Sequence, residues 1–210
     1  MTRPAQQRLV LASASPRRRQ LLGLLLDDFE IEPAAIDEQP RPEEAPRMLV
    51  RRLAETKARV VQARRPQCYV LGSDTEVALD GRCLGKPRDA CDARRMLTAL
   101  SDCEHEVLSA VALAHPDGRV EVELSCTRVT FAPLSPDWIA AYVASGEPMD
   151  KAGAYALQGA AAGFIRALDG SDSAVIGLPL QTTAALLARA GLLDAVAGPT
   201  TTKWESTREQ

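Results

Sequence analysis

Two stretches of this 210-residue chain gather side chains suited to phosphate chemistry. In LVLASASPRRRQLL an apolar run delivers the hydroxyls of Ser13 and Ser15, then the guanidinium groups of Arg17 and Arg18, to the start of a helix. A helix start offers free backbone N–H groups and the positive end of the helix dipole, and serine and arginine donors can converge there on phosphoryl oxygens. A capped surface helix with solvated arginines would carry the same pattern. In GSDTEVALDGRCLGKP, Asp74 is expected where a buried strand emerges, and Lys86 follows after one hairpin. A carboxylate so placed can serve as general base toward water or hold a divalent ion, while the lysine neutralises phosphate charge. A turn or cap role would equally account for Asp74 taken alone.

Other segments add candidates. Lys57 continues the apolar row of Leu49 and Leu53, so its ammonium either snorkels to solvent or projects into a cleft. Glu38, in the loop segment AIDEQ, could ligate a metal or simply be solvated. Gln158 lies among Gly153, Gly159 and Gly163. These glycines allow close backbone approach to a ligand, and the Gln158 amide could read a base edge; a flexible surface loop is the plainer account. Cys83 has no partnered histidine and is assigned to packing.

The elements that must position these groups follow from pattern. Leu9 to Ala12 reads as a strand, and Ser15 and Pro16 open a helix carrying Leu21, Leu22 and Leu25. Leu49, Leu53, Thr56 and Val60 predict a helix from Pro46 to Arg64. Tyr69 to Leu71 reads as a buried strand ending in GSD, followed by a hairpin from Glu76 to Leu84 turned at Asp80 and Gly81. Asp89 caps a helix with Ala93, Met96, Leu97 and Leu100 on one face. Long strands are expected at Val107 to Ala114 and Val120 to Phe131, the second changing parity after Cys126 as at a bulge. Ser135 and Pro136 open another helix, Gly163 to Leu168 and Ala174 to Ile176 read as strands, and Pro179 starts a last helix ending near Gly191.

Composition bounds the rest. The chain is 46% apolar and 25% charged, which supports one domain or two intimate lobes over 1–197, with 198–210 as a frayed tail. A net charge of −3 speaks against a broad nucleic-acid footprint, so an anionic ligand must be met locally. No apolar run approaches the ~20 residues of a membrane span, and the opening MTRPAQQR lacks a signal-peptide pattern, so the chain reads as cytoplasmic. Five scattered cysteines without a CxxC pair read as reduced thiols, and two histidines make a histidine-rich metal site improbable. Hard, oxygen-ligated metals stay open.

SASPRR, IDEQ, LAETKA, GSDTEV, GKPRD, DKAGAYALQG and VIGLP occur in the order and approximate spacing of the Maf family of nucleoside triphosphate pyrophosphatases. The resemblance covers about Leu9 to Leu193. It implies a Maf/inosine triphosphate pyrophosphatase-like fold, a mixed α/β structure whose long curved sheet is flanked by helices, with two lobes around a central cleft. It also implies a homodimer and cleavage between the α- and β-phosphates of a nucleoside triphosphate with Mg2+ or Mn2+. Asp74 matches the family's catalytic aspartate, Glu38, Lys57 and Lys86 its other charged positions, and Ser13 and Arg18, with Ser15 between them, its phosphate-binding loop. The physical expectation is that Glu38 and Asp74 hold the metal.

One branch of the family prefers dTTP and UTP, another 7-methylguanosine triphosphate. Arg17, Thr75 and Gln158 resemble the first, whereas the second carries tryptophan, glutamine and glutamate there. Removal of modified nucleotides from the pool and a link to cell-division arrest come with the resemblance, as does the alternative of a non-catalytic nucleotide-binding regulator. Asp172 in GSDSAV departs from the aromatic residue common in relatives.

Overall fold

Apolar residues on both sides of two long inner strands give each face of the sheet its own core. In the computed structural model, which describes residues 8–193, these strands are β3 (Tyr69–Leu79) and β5 (Glu104–Ala114). They belong to a seven-stranded sheet with β1 (Leu9–Leu11), β2 (Glu30–Ile31), β4 (Arg82–Cys83), β6 (Val120–Phe131) and β7 (Ile165–Asp169). The order is β2-β1-β3-β5-β6-β7, with β4 added to the end of β3. β1 pairs in parallel with β2 and β3, and all other pairs are antiparallel. The expected mixed α/β class is what the chain adopts.

On one face lies α2 (Pro46–Arg64), its Val50, Ala54, Ala58 and Val61 packed with Val70, Ala78, Leu108, Ala110 and Ala112. The opposite face carries two further clusters. One joins α1 (Pro16–Leu22) and α6 (Leu180–Arg189) to Leu9, Leu11, Leu71, Val111 and Leu113. The other joins α3 (Ala90–Leu100) and α4 (Pro136–Ala144) to Val77, Val107, Val129 and Phe131.

Three details differ from the sequence pattern. The strand expected to stop at GSD runs on to Leu79, because β5 pairs with it without interruption from Val70 to Ala78. The change of parity in β6 involves no bulge against β5, whose register continues from Glu104 to Ala114. Instead, Val120, Val122, Leu124 and Cys126 face α2, whereas Val129 and Phe131 face the α3–α4 cluster. The register shift in β6 lies on its other edge, against β7, at Thr130 and Phe131. Ala174 to Ile176 belongs to a short helix, α5 (Asp172–Ile176), because Ser171 Oγ accepts from the Ala174 N–H and caps it. The tail expected from Gly198 lies outside the described residues.

Candidate active site

The site exists because β1 is short. It accompanies β3 only from Tyr69 to Leu71, and β4 joins only at Ala78. Between them this edge of β3 faces a cleft of about 430 Å³, a size that holds a small-molecule ligand. Asp74 therefore does not sit at a strand end as expected. It lies mid-strand, and the early end of β1 opens the space beside it, an arrangement related to the crevices at the carboxyl ends of parallel strands.

Asp74 is only 5% exposed and lies on the α2 face. Lys57, 6% exposed, reaches it from α2: Nζ is 2.7 Å from Asp74 Oδ1 and 2.6 Å from Glu38 Oε1. The ammonium thus enters the cleft rather than snorkelling. Gly72 permits this approach, since a Cβ there would stand 2.2 Å from the Ala54 carbonyl oxygen and 2.8 Å from the Ala58 nitrogen. Small residues on both sides let helix and strand backbones nearly touch, which brings Lys57 into range.

The electrostatics follow from this burial. Desolvation pushes the Asp74 carboxyl above its ordinary range, against the pull of Lys57 and Arg18. Burial would also raise Glu38, but the hydrogen bond and charge of Lys57, with Lys86 and Arg18 behind, hold it below the ordinary value. Glu76 is pushed up to about 7, first by burial and then by the charge of Asp74, with the Gly85 N–H opposing. Burial lowers the Arg18 pKa while Asp74 and Glu38 raise it, and a guanidinium stays charged. The Cys83 thiol is pushed up to about 12 by burial and by Glu76 and Asp74, so it is protonated and no nucleophile. All five cysteines are free.

The opposite wall is the Ser13–Arg18 turn. Ser13 Oγ accepts from the Ser15 N–H at 3.1 Å, and Ser15 Oγ caps α1 by accepting from the Arg18 N–H at 3.4 Å. Arg18 Nε donates to the Gly177 carbonyl at 2.9 Å and its NH2 group to Thr75 Oγ1 at 3.4 Å. Ser73 also donates to the Gly177 carbonyl, and Thr75 pairs with Ser109. A strand, a helix and the loop after α5 thereby fix one guanidinium.

The mouth is built from less regular chain. Lys86 is exposed on the loop after β4, and Gln158 is exposed among the 3₁₀ turns that follow α4. Arg17 stands 3.9 Å from Asp150. Asp172 starts α5 and accepts from the Ser173 N–H. Every residue singled out in the sequence as a candidate, namely Ser13, Ser15, Arg17, Arg18, Glu38, Lys57, Asp74, Thr75, Lys86 and Gln158, lines this one cleft.

Sequence reasoning missed Glu76, Asp150, Lys151 and Tyr155, which line it too. Glu76 is two residues beyond Asp74 and shares its face of β3, a signal hidden by ending the strand at Leu71. Counting all of these, the lining holds five cationic and four acidic side chains. Asp74 Oδ2 and Glu76 Oε2 are sealed from solvent and accept no hydrogen bond. Orphaned carboxylate oxygens are the donors a hard divalent cation takes. No cluster of three or more His, Cys, Asp and Glu able to hold a metal occurs among the described residues, so substrate oxygens and water would have to complete the shell of such an ion.

A family model described as "Maf-like protein" matches residues 8–190. The chain is 54% identical over 188 residues to a dTTP/UTP pyrophosphatase of Anaeromyxobacter sp. (strain Fw109-5), covering 88% of this chain and 90% of that one. It is 53% identical over 188 residues to the dTTP/UTP pyrophosphatase of Myxococcus xanthus (strain DK1622), covering 89% and 94%. With the protein of that name from Nitrosomonas europaea it shares 48% identity over 205 residues, 91% of this chain and 99% of the relative.

Proposed function

The chain belongs to the Maf family, and from that premise we propose that it hydrolyses dTTP and UTP to the nucleoside monophosphate and pyrophosphate. The observation that carries this reading is the meeting, in one cleft, of the buried Asp74 with Arg18, Lys57 and Lys86 on the one hand and Arg17, Thr75 and Gln158 on the other. Relatives at about half identity bear the name dTTP/UTP pyrophosphatase.

A nucleoside triphosphate carries about four negative charges near neutral pH, and a protein of net charge −3 must meet them locally. Arg18 and the Ser13–Ser15 turn take phosphoryl oxygens, Arg18 already aimed by the Gly177 carbonyl. Lys57 holds Asp74 by Oδ1 and leaves Oδ2 without a partner. The Asp74 carboxylate orients the attacking water and accepts its proton, and the raised basicity that burial confers suits it to the task. Lys57 and Lys86 stabilise the charge that gathers on the departing pyrophosphate. Asp74 and Glu38 would hold a divalent cation, Mg2+ or Mn2+, which when bound would supply charge neutralisation and Lewis acidity.

At the mouth, the Gln158 amide offers both a donor and an acceptor, which suits the imide edge that uracil and thymine share. Arg17 and Thr75 complete the base-selective set. We propose a cytoplasmic reaction carried out by a homodimer, the assembly that the family resemblance implies, with 1–197 as the working domain and with neither nucleic acid nor a membrane as partner. Among the described residues no helix is long and apolar enough to cross a membrane.

Incubation with dTTP and Mg2+ is expected to yield dTMP and pyrophosphate, with dTTP and UTP favoured over 7-methylguanosine triphosphate in kcat/KM. Release of dTDP and orthophosphate instead would overturn the assignment.

A further inference from the structure

Lys57 is the only cation within ion-pairing distance of Asp74 and Glu38 among the described residues, and it is shared between them. Glu76, the third carboxylate of this wall, makes no ion pair among those residues, and its Oε2 is enclosed without a hydrogen-bond donor. The position lies within the buried strand β3, on the face covered by α2, where an apolar β-branched side chain would be at home. Burying an unpaired carboxylate is costly, more so beside a second one. A bound cation would remove that cost.

The geometry points to Glu76 as a ligand, beside Asp74, of the divalent cation that accompanies the triphosphate. This deepens the pyrophosphatase reading and rests on it. Alternate residues of one strand project to the same face with Cα atoms about 7 Å apart. Asp74 Oδ2 and Glu76 Oε2 are both orphaned, and both residues line the cleft. Two carboxylates with substrate oxygens and water make up the shell that Mg2+ and Mn2+ favour. Lys57 fits the same division of labour: it occupies Asp74 Oδ1 and Glu38 Oε1, which leaves Asp74 Oδ2 and Glu76 Oε2 to the ion.

The test is a Mn2+ titration of the whole protein, with free Mn2+ read by electron paramagnetic resonance in the presence of α,β-methylene-dTTP, which resists hydrolysis at the bond in question. In E76Q, which keeps shape and removes charge, the Mn2+ Kd is expected to rise about 10–100-fold over the wild type. An unchanged Kd would overturn the proposal and identify Glu76 as a neutral packing residue. Should E76Q fail to fold, E76V, whose side chain suits a buried strand, carries the same two outcomes. Wild-type turnover of dTTP, assayed in parallel for dTMP and pyrophosphate, keeps the readings apart. Its absence would sink the proposed activity, whereas an unchanged Mn2+ Kd alongside normal turnover would sink only the role of Glu76.

Discussion

The two sides of the cleft differ in what holds them. The α2–β3 wall is regular structure packed to backbone contact: Lys57 and Asp74 are 6% and 5% exposed, and Gly72 lies directly under Ala54 and Ala58. The mouth opposite is made of turns and the first residues of α1. Its Arg17–Asp150 pair spans 3.9 Å with side chains 34% and 72% exposed, and ion pairs of that kind contribute at most about 1 kcal/mol. Gly153 and Ala154 there hold positive φ angles of 68° and 59°, with Gly153 pressed against Val77. Phosphate chemistry needs a carboxylate and cations held within fractions of an ångström. Base selection tolerates a softer frame, and loops can change side chains without disturbing the packed pair beneath.

The largest effect should come from the stiff wall. Asp74→Asn is expected to lower kcat about 10³–10⁴-fold while the protein stays folded, as pyrophosphate release and thermal unfolding will show. Retention of a tenth of the wild-type rate would remove Asp74 from its role.

The next effect lies behind the mouth. His105 Nε2 is 2.8 Å from the Tyr155 hydroxyl, and both rings pack on Phe131. Burial lowers the His105 pKa to about 4, below the ~6.5 of an unfolded chain. Between those values the unfolded state binds the extra proton. The contribution of His105 to stability is therefore intact above about pH 6.5, falls as pH drops, and has lost about 3 kcal/mol below about pH 4. Glu76, raised to about 7, contributes with the opposite sign over this range, so the share of His105 is read as a difference: between pH 7 and pH 4.5 the wild type should lose more stability to urea, or gain less, than His105→Asn, and equal changes in the two would count against a buried neutral histidine.

A smaller loss is expected of Gly72→Ala, about 2 kcal/mol from forcing α2 off β3, with kcat reduced because Lys57 withdraws from Asp74. A change in stability without a change in rate would uncouple that contact from catalysis. Gln158→Glu should cost least: stability within about 0.5 kcal/mol, since the residue is exposed, and roughly a tenfold drop in kcat/KM for dTTP.

Helix starts were the most legible part of the sequence, because their signals are local. Ser15, Asp89 and Ser135 each cap a helix with the side-chain bond their position implies, and the row of Leu49 and Leu53 marks α2 from Pro46 to Arg64. Strand ends were less legible. GSD resembles a stop, yet pairing with β5, thirty and more residues later, carries β3 through it. That one misplacement explains two others, the position given to Asp74 and the neglect of Glu76. Whether Lys57 would snorkel or turn inward depends on the clearance at Gly72, which no periodicity reveals. The short helix at 172–176 escaped because three apolar residues fit either element and only the Ser171 cap distinguishes them.

The division between a catalytic wall and a selective mouth is tested most directly by one ratio, kcat/KM for dTTP over kcat/KM for 7-methylguanosine triphosphate, measured in the wild type, Asp74→Asn and Gln158→Glu. Asp74→Asn should depress both rates alike and leave the ratio at its wild-type value, while Gln158→Glu should lower the ratio. A ratio that moves with Asp74→Asn and stays fixed with Gln158→Glu would contradict it.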